Sequence, residues 1–248
     1  MKALILAAGY ATRLYPLTMN KAKPLLPVRE RPIIDYIVSG LEGVPEIDGI
    51  YVVTNDRFYQ DFCRWREGNS CAGKITIVND KTTSDNDKLG AIGDINRVIA
   101  EMPVADDLIV VAGDNLFQFN LKDFVGFFKK NGLSIACYRY PRKDELHHYG
   151  IVQMDNKGVV DDFQEKPKQP RSNLVAVCLY GFPAGKLELF KEYIDEGNNC
   201  DAPGFYLQWL FKKEEVRAFT FSSPWYDIGT KEAYHRAQEE VEYIPKGI

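Results

Sequence analysis

The chain has 248 residues, 27% of them charged, with a formal net charge of −4. A chain of that length buries a substantial core as one large domain or two small ones. Its slightly acidic balance leaves no broad basic surface for a nucleic-acid backbone, and no stretch approaches the ~18 apolar residues of a membrane helix. The five cysteines, Cys63, Cys71, Cys137, Cys178 and Cys200, are odd in number and show neither Cys-x-x-Cys nor zinc-type spacing. Reduced thiols and a cytoplasmic location are therefore expected. The apolar run at the N-terminus is too short for a signal peptide and has no small-residue cleavage site after it.

In chain order, apolar runs predict strands at 2–7, 49–54, 74–78 and 108–112, separated by amphipathic helices at 32–41, 57–67 and 89–101. Pro32 is expected in the first helical turn, where the missing N–H costs nothing. The third helix carries Ile92, Ile95, Val98, Ile99 and Met102 at helical spacing. Such alternation predicts an α/β fold with a doubly wound, mostly parallel sheet. Ligands of such sheets bind outside the carboxyl ends of the strands.

After a helix opened by Asn120 the pattern changes. Strands are predicted at 133–140, 150–155, 159–165, 175–182 and 215–221, with helices near 186–195 and 202–213, as in a β-rich insertion. Phe205, Tyr206 and Trp209 are read as one helical face turned to the core, with an oligomer interface as the alternative. A last helix at about 230–243 has Thr230 as its N-cap. With no linker or repeat, one continuous domain is expected, with a first part at about 1–132 and the insertion at about 133–229.

The first strand breaks into Gly9-Tyr10-Ala11-Thr12-Arg13-Leu14-Tyr15-Pro16-Leu17-Thr18 and then reaches Lys23-Pro24. Gly9 permits a turn with backbone N–H groups converging, and Arg13 and Lys23 add two cations, a combination suited to a triphosphate. No Gly-Lys-Ser/Thr triplet of a Walker loop is present, and the glycines of a dinucleotide fingerprint are missing. Strand 108–112 ends on Gly113-Asp114-Asn115, which sets a carboxylate at a strand's carboxyl edge. Magnesium takes one or two carboxylates plus phosphate oxygens, and Asp114 is the natural first ligand.

Together with Tyr149-Gly150-Ile151-Val152, Phe163-Gln164-Glu165-Lys166-Pro167 and Trp225-Tyr226-Asp227-Ile228-Gly229-Thr230, these motifs resemble, in order from about Lys2 to Thr230, those of the sugar-phosphate nucleotidylyltransferases. The resemblance is nearest to the glucose-1-phosphate thymidylyl- and uridylyltransferases. It implies transfer of a nucleotidyl group from UTP or dTTP, with CTP open, to a sugar 1-phosphate. It implies that Gly9, Tyr10 and Ala11 present backbone donors, that Arg13 holds the departing pyrophosphate and that Lys23 bridges the attacked phosphate. Asp227 becomes the second ligand of Mg2+ beside Asp114. Leu6, Ala8 and Gly90 are expected to contact the nucleoside, and Gly150, Glu165 and Lys166 the sugar phosphate. No nucleic-acid or membrane partner is implied, and a homo-oligomer stays open.

Three departures matter. Ala11 replaces a family glycine, so residue 11 either has negative φ or accepts about 1 kcal/mol of left-handed strain. The nucleobase element is Leu89-Gly90-Ala91-Ile92, without the family's threonine. It is preceded by Asn79-Asp80-Lys81-Thr82 instead of a Gln-rich stretch, so the base is unresolved. The related choline-phosphate cytidylyltransferases are a rival, for which Tyr149, Tyr180, Trp225 and Tyr226 could form an aromatic cage. A metal-dependent glycosyltransferase lacks its second acid here, and a non-catalytic regulatory relative would tend to lose Arg13, Lys23 or the metal acids.

Overall fold

The computed structural model describes residues 1–241. Its elements run β1 (Lys2–Leu6), β2 (Pro27–Val28), β3 (Arg31–Pro32), α1 (Ile33–Glu42), β4 (Gly49–Thr54), α2 (Tyr59–Glu67), β5 (Ile75–Asn79), α3 (Gly90–Glu101), β6 (Leu108–Ala112) and β7 (Asn115–Phe117). They continue with α4 (Leu121–Asn131), β8 (Ser134–Arg139), β9 (Gly150–Met154), β10 (Val160–Glu165), β11 (Leu174–Phe182), α5 (Glu188–Asp195), α6 (Pro203–Leu210), β12 (Arg217–Phe221), β13 (Trp225–Asp227) and α7 (Lys231–Glu240). The fold is α/β, and the chain divides into two compact units. One holds Met1–Lys88, Val111–Lys122 and the chain from Pro224 on; the other holds Leu89–Val110 and Asp123–Ser223.

In the first unit β1, β4 and β5 pair in parallel, with Leu4 opposite Tyr51 and Ile50 opposite Ile75. Ala3, Leu4 and Ile5 are fully buried, as expected of a strand covered on both faces, and this is why β1 reads as an unbroken apolar run. Helix α1 turns Ile33, Ile34, Ile37, Val38 and Leu41 inward. Pro32 precedes this helix with extended backbone, φ −52° and ψ 140°, and pairs in β3; it does not open the first turn.

One pairing in this unit has no signal in the residue pattern. The stretch after Gly113-Asp114, which by itself reads as a turn, is β7, and it forms an antiparallel ladder with β13 in which Asp227 faces Asn115. Behind the ladder, Leu116, Tyr226 and Ile228 pack with Leu14, Leu26, Val28, Ile33 and Tyr234. Helix α7 starts at the expected cap, with Thr230 Oγ1 accepting from Ala233 N at 3.1 Å. Its far end is held by Arg29, whose Nε donates to Val241 O at 2.8 Å, satisfying a carbonyl that the helix leaves open. Positions 242 and 243 of the predicted helix lie outside the described residues.

The second unit holds the β-rich part. Strands β10, β9 and β11 are antiparallel neighbours, β8 pairs antiparallel with β11, and β12 runs parallel to β8. Phe182, Phe190, Tyr193, Tyr206 and Trp209 form an aromatic cluster, with Phe190 stacked on Tyr206 at 4.5 Å. Phe205 departs from the expected core face and is 37% exposed, because a residue 100° around the helix from Tyr206 leaves the buried stripe. No cysteine joins a disulfide. Among the described residues no helix is long and apolar enough to cross a membrane.

Candidate functional site

The loop after β1 is built around an alanine in a glycine's conformation. Ala11 has φ 49° and ψ 41°, so the second of the two expected alternatives holds and the chain carries the strain. Ala11 O accepts from Leu14 N at 3.0 Å and from the buried Thr18 Oγ1 at 2.8 Å, which pins the turn. Among the described residues no backbone oxygen accepts from the N–H of Gly9, Tyr10 or Ala11. The left-handed residue is thus Ala11; Gly9 does not have positive φ, and a Cβ added there would meet nothing. Ala11→Gly should therefore raise Tm by about 1–3 °C, relief of strain outweighing the entropy of a glycine in the unfolded chain. A thermal melt with lower Tm than wild type would refute the strain.

Tyr10 is anchored beneath this loop. Its hydroxyl lies 3.1 Å from Thr82 Oγ1, whose proton goes to Asp80 Oδ1 at 2.8 Å, so Tyr10 is the donor in the first contact. Burial raises the Tyr10 phenol above its ordinary value. Ala8 O accepts from the buried Asn55 Nδ2 at 2.8 Å, and Leu6 O accepts from Gly113 N at 2.8 Å. Two carbonyls near the strand end are thereby engaged by the protein itself. Arg13 lies exposed in the 3₁₀ turn Thr12–Leu14.

Gly113 brings the charged groups together. A Cβ there would stand 2.8 Å from Leu6 O and 3.0 Å from Pro24 Cγ, so only glycine lets β6 end against β1 and the turn Lys23–Leu25. The consequence is a half-buried ion pair between Lys23 Nζ and Asp114 Oδ2. Asn115 Nδ2 donates to Asp114 Oδ1 at 2.9 Å, and Trp225 Nε1 donates to Asn115 Oδ1 at 2.7 Å. Burial would push the Asp114 carboxyl up, but the Lys23 charge and hydrogen bond, with the Asn115 amide, outweigh it and hold the carboxyl below its usual range. Ile228 N donates to Asp114 O at 3.1 Å, so Asp227 and Asp114 sit at adjacent places of the ladder. Two hard carboxylates, with no cluster of three or more His, Cys, Asp or Glu among the described residues, form a donor set that suits magnesium shared with phosphate oxygens and not a closed zinc site.

In the second unit Gly90 has φ +76°, and a Cβ there would stand 2.4 Å from Cys200 O. Ala91 N donates to Asp201 O and Ile92 N to Cys200 O, at 3.2 and 3.0 Å. The 200–201 segment by itself thus requires a glycine at this position. Gly150 opens β9 and pairs with Glu165 at the end of β10. Glu165 has a side chain only 6% exposed, with Lys166 Nζ 3.5 Å from Oε1. Burial raises its carboxyl, and the Lys166 charge opposes that. Lys166 has φ 46°, and its N–H donates to Tyr149 O at 3.1 Å. The sequence reading missed Asn115, Thr18 and Gly204; of these only Gly204, a glycine just inside a predicted helix, left a sequence signal.

The four aromatics of the expected cage are differently employed. Tyr226 packs in the apolar cluster with Leu14 and Ile228, and Trp225, its neighbour on the strand, points the other way to hold Asn115. Tyr149 lies against Tyr140 with ring centroids 5.0 Å apart, and Tyr180 is 4% exposed. Adjacent residues of a strand face opposite sides, so Trp225 and Tyr226 cannot line one cage.

A family model described as nucleotidyl transferase matches residues 2–243. The bifunctional protein GlmU of Methanocaldococcus jannaschii is 27% identical over 235 residues, covering 92% of this chain and 51% of that protein. A glucose-1-phosphate adenylyltransferase of Clostridium acetobutylicum is 28% identical over 258 residues, covering 96% of this chain and 66% of that protein. The chain therefore spans 51% to 66% of the length of these relatives. A solved UDP-glucose pyrophosphorylase complexed with UDP-glucose superposes with a TM-score of 0.80 at 22% identity, covering 96% of this chain and 97% of that one, a likeness of fold.

Proposed function

We propose that this chain, which belongs to the nucleotidyl transferase family, transfers a nucleotidyl group from a nucleoside triphosphate to a sugar 1-phosphate, releasing pyrophosphate. The observation that carries the reading is the turn at Ala11, where three successive N–H groups lack backbone partners among the described residues, followed by Arg13 and Lys23. Names among the relatives, an adenylyltransferase acting on glucose 1-phosphate and a pyrophosphorylase of UDP-glucose, support the acceptor class.

An oxygen of the acceptor's phosphate forms a bond to the α-phosphorus, and the bond from that phosphorus to the β-phosphate oxygen breaks. The electron pair and charge leave with pyrophosphate. No general base is needed, because the attacking phosphate is already anionic near neutral pH, and catalysis is positioning plus charge stabilisation. The N–H groups of Gly9, Tyr10 and Ala11, with Arg13, hold the departing phosphates, and Lys23 bears on the attacked one. Asp114 and Asp227 would hold Mg2+, which when bound neutralises phosphate charge. Glu165 accepts from acceptor hydroxyls and Lys166 holds the acceptor's phosphate. Presence of Arg13, Lys23, Asp114 and Asp227 together favours an enzyme over an inert regulatory relative.

The test follows pyrophosphate release with magnesium, using UTP, dTTP, CTP, ATP and GTP against hexose 1-phosphates and choline phosphate. Release should require a triphosphate and a hexose 1-phosphate together. Release from a triphosphate alone would identify a hydrolase, and release only with choline phosphate would replace the acceptor class.

A further inference from the structure

We infer that Gly204 is a positioning residue for the acceptor, because the space its side chain would fill is the seat of the Glu165 carboxylate. The inference rests on the reading that Glu165 receives acceptor hydroxyls. A Cβ built on Gly204 would stand 1.7 Å from Glu165 Oε2, 2.4 Å from Cδ and 3.2 Å from Oε1, and these are its three nearest atoms. Gly204 is buried in the first turn of α6, where glycine lowers helix stability by about 1 kcal/mol relative to alanine. It has no positive φ to justify it. What the fold gains at that cost is room for one carboxylate.

A second glycine lies against the same carboxylate oxygen, with a different consequence. A Cβ on Gly150 would stand 3.1 Å from Glu165 Oε2 but 2.6 Å from Phe163 Cζ, a ring only 2% exposed, so substitution there presses on the core. At Gly204 the only group asked to move is the end of Glu165. The carboxylate is clamped between two backbones, and its one charged partner among the described residues is Lys166, 3.5 Å from Oε1. Among the described residues no side chain other than Lys166 donates to this carboxylate, which leaves it able to accept from a ligand that brings its own O–H groups. A polyhydroxylated acceptor does so, whereas a trimethylammonium group has no such donor.

The experiment compares wild type, Gly204→Ala, Glu165→Asp and the double variant, with glucose 1-phosphate or mannose 1-phosphate, whichever wild type turns over. Gly204→Ala should raise KM for the sugar phosphate about ten- to a hundredfold, the scale of one displaced charged hydrogen bond. KM for the triphosphate and Tm should stay near wild type. Adding Glu165→Asp, one methylene shorter, should recover part of the sugar-phosphate KM in the Gly204→Ala background and not improve it in wild type. An unchanged sugar-phosphate KM in Gly204→Ala, or equal rises for both substrates, would overturn the inference.

If wild type turns over neither of these nor any other sugar 1-phosphate, the functional reading fails separately. The seat is then read from carbon-13 NMR titration of the glutamate carboxyls. Gly204→Ala should bring the raised Glu165 carboxyl back toward the ordinary glutamate range, and an unmoved titration would refute the seat.

Discussion

Lys23→Ala should lower kcat by on the order of a hundredfold, about 3 kcal/mol of barrier, while changing KM for the sugar phosphate little. The physical reason is that charge develops at the α-phosphate as the new bond forms, and a fixed ammonium in a half-buried site stabilises it without reorganisation. Lys23→Arg should rescue poorly, since a planar guanidinium cannot take the place of a compact point charge in the turn against Gly113. Lys23→Ala also removes the charge and hydrogen bond that oppose burial of the Asp114 carboxyl, so this carboxyl should titrate higher than in wild type. Steady-state kinetics with both substrates varied, alongside thermal melts, separate loss of catalysis from loss of fold. A variant of unchanged kcat would remove Lys23 from the reaction.

Asp114→Asn and Asp227→Asn should each abolish most activity, and the double variant should be scarcely worse than either. Two ligands of one ion act as a unit, and effects of groups acting as a unit are non-additive. The adjacency of the two residues in the ladder of β7 and β13 makes this a sharp expectation, because their backbones are tied by the Ile228 N to Asp114 O hydrogen bond. Excess magnesium should restore part of the rate in each single variant. An amide is isosteric, so no cavity is opened; Asp227→Asn should leave Tm nearly unchanged, and Asp114→Asn should lower it, because the half-buried Lys23 charge loses its partner. Near-normal magnesium-dependent turnover in Asp227→Asn would leave Asp227 as a strand-end residue before the Thr230 cap.

Much of this protein was legible because the signals are local. Strand β6 was read at its observed bounds, since a run of Leu-Ile-Val-Val-Ala closed by Gly-Asp carries both its burial and its stop. The Thr230 cap was legible for the same reason: a hydroxyl placed before an apolar stripe bonds an N–H three residues on. The loop motif announced its cations at Arg13 and Lys23, and the acids at Asp114 and Asp227 were readable as residues.

What tertiary structure alone decided was which groups meet. The two acids are far apart in sequence, and only the pairing of β7 with β13, two three-residue strands too short to show a period, sets them side by side. The sign of φ at Ala11 depended on whether Thr18 and Leu14 would hold the turn, a balance of about 1 kcal/mol that no residue pattern reports. That Gly90 packs against the 200–201 segment, and that Gly204 packs against Glu165, had no trace in the residue pattern beyond the glycines themselves. Elements and charges are properties of neighbours in the chain. Clearances of an ångström between segments a hundred or more residues apart, or forty for Glu165 and Gly204, arise only when the core closes, and at those clearances the presence or absence of a Cβ decides where a carboxylate can lie.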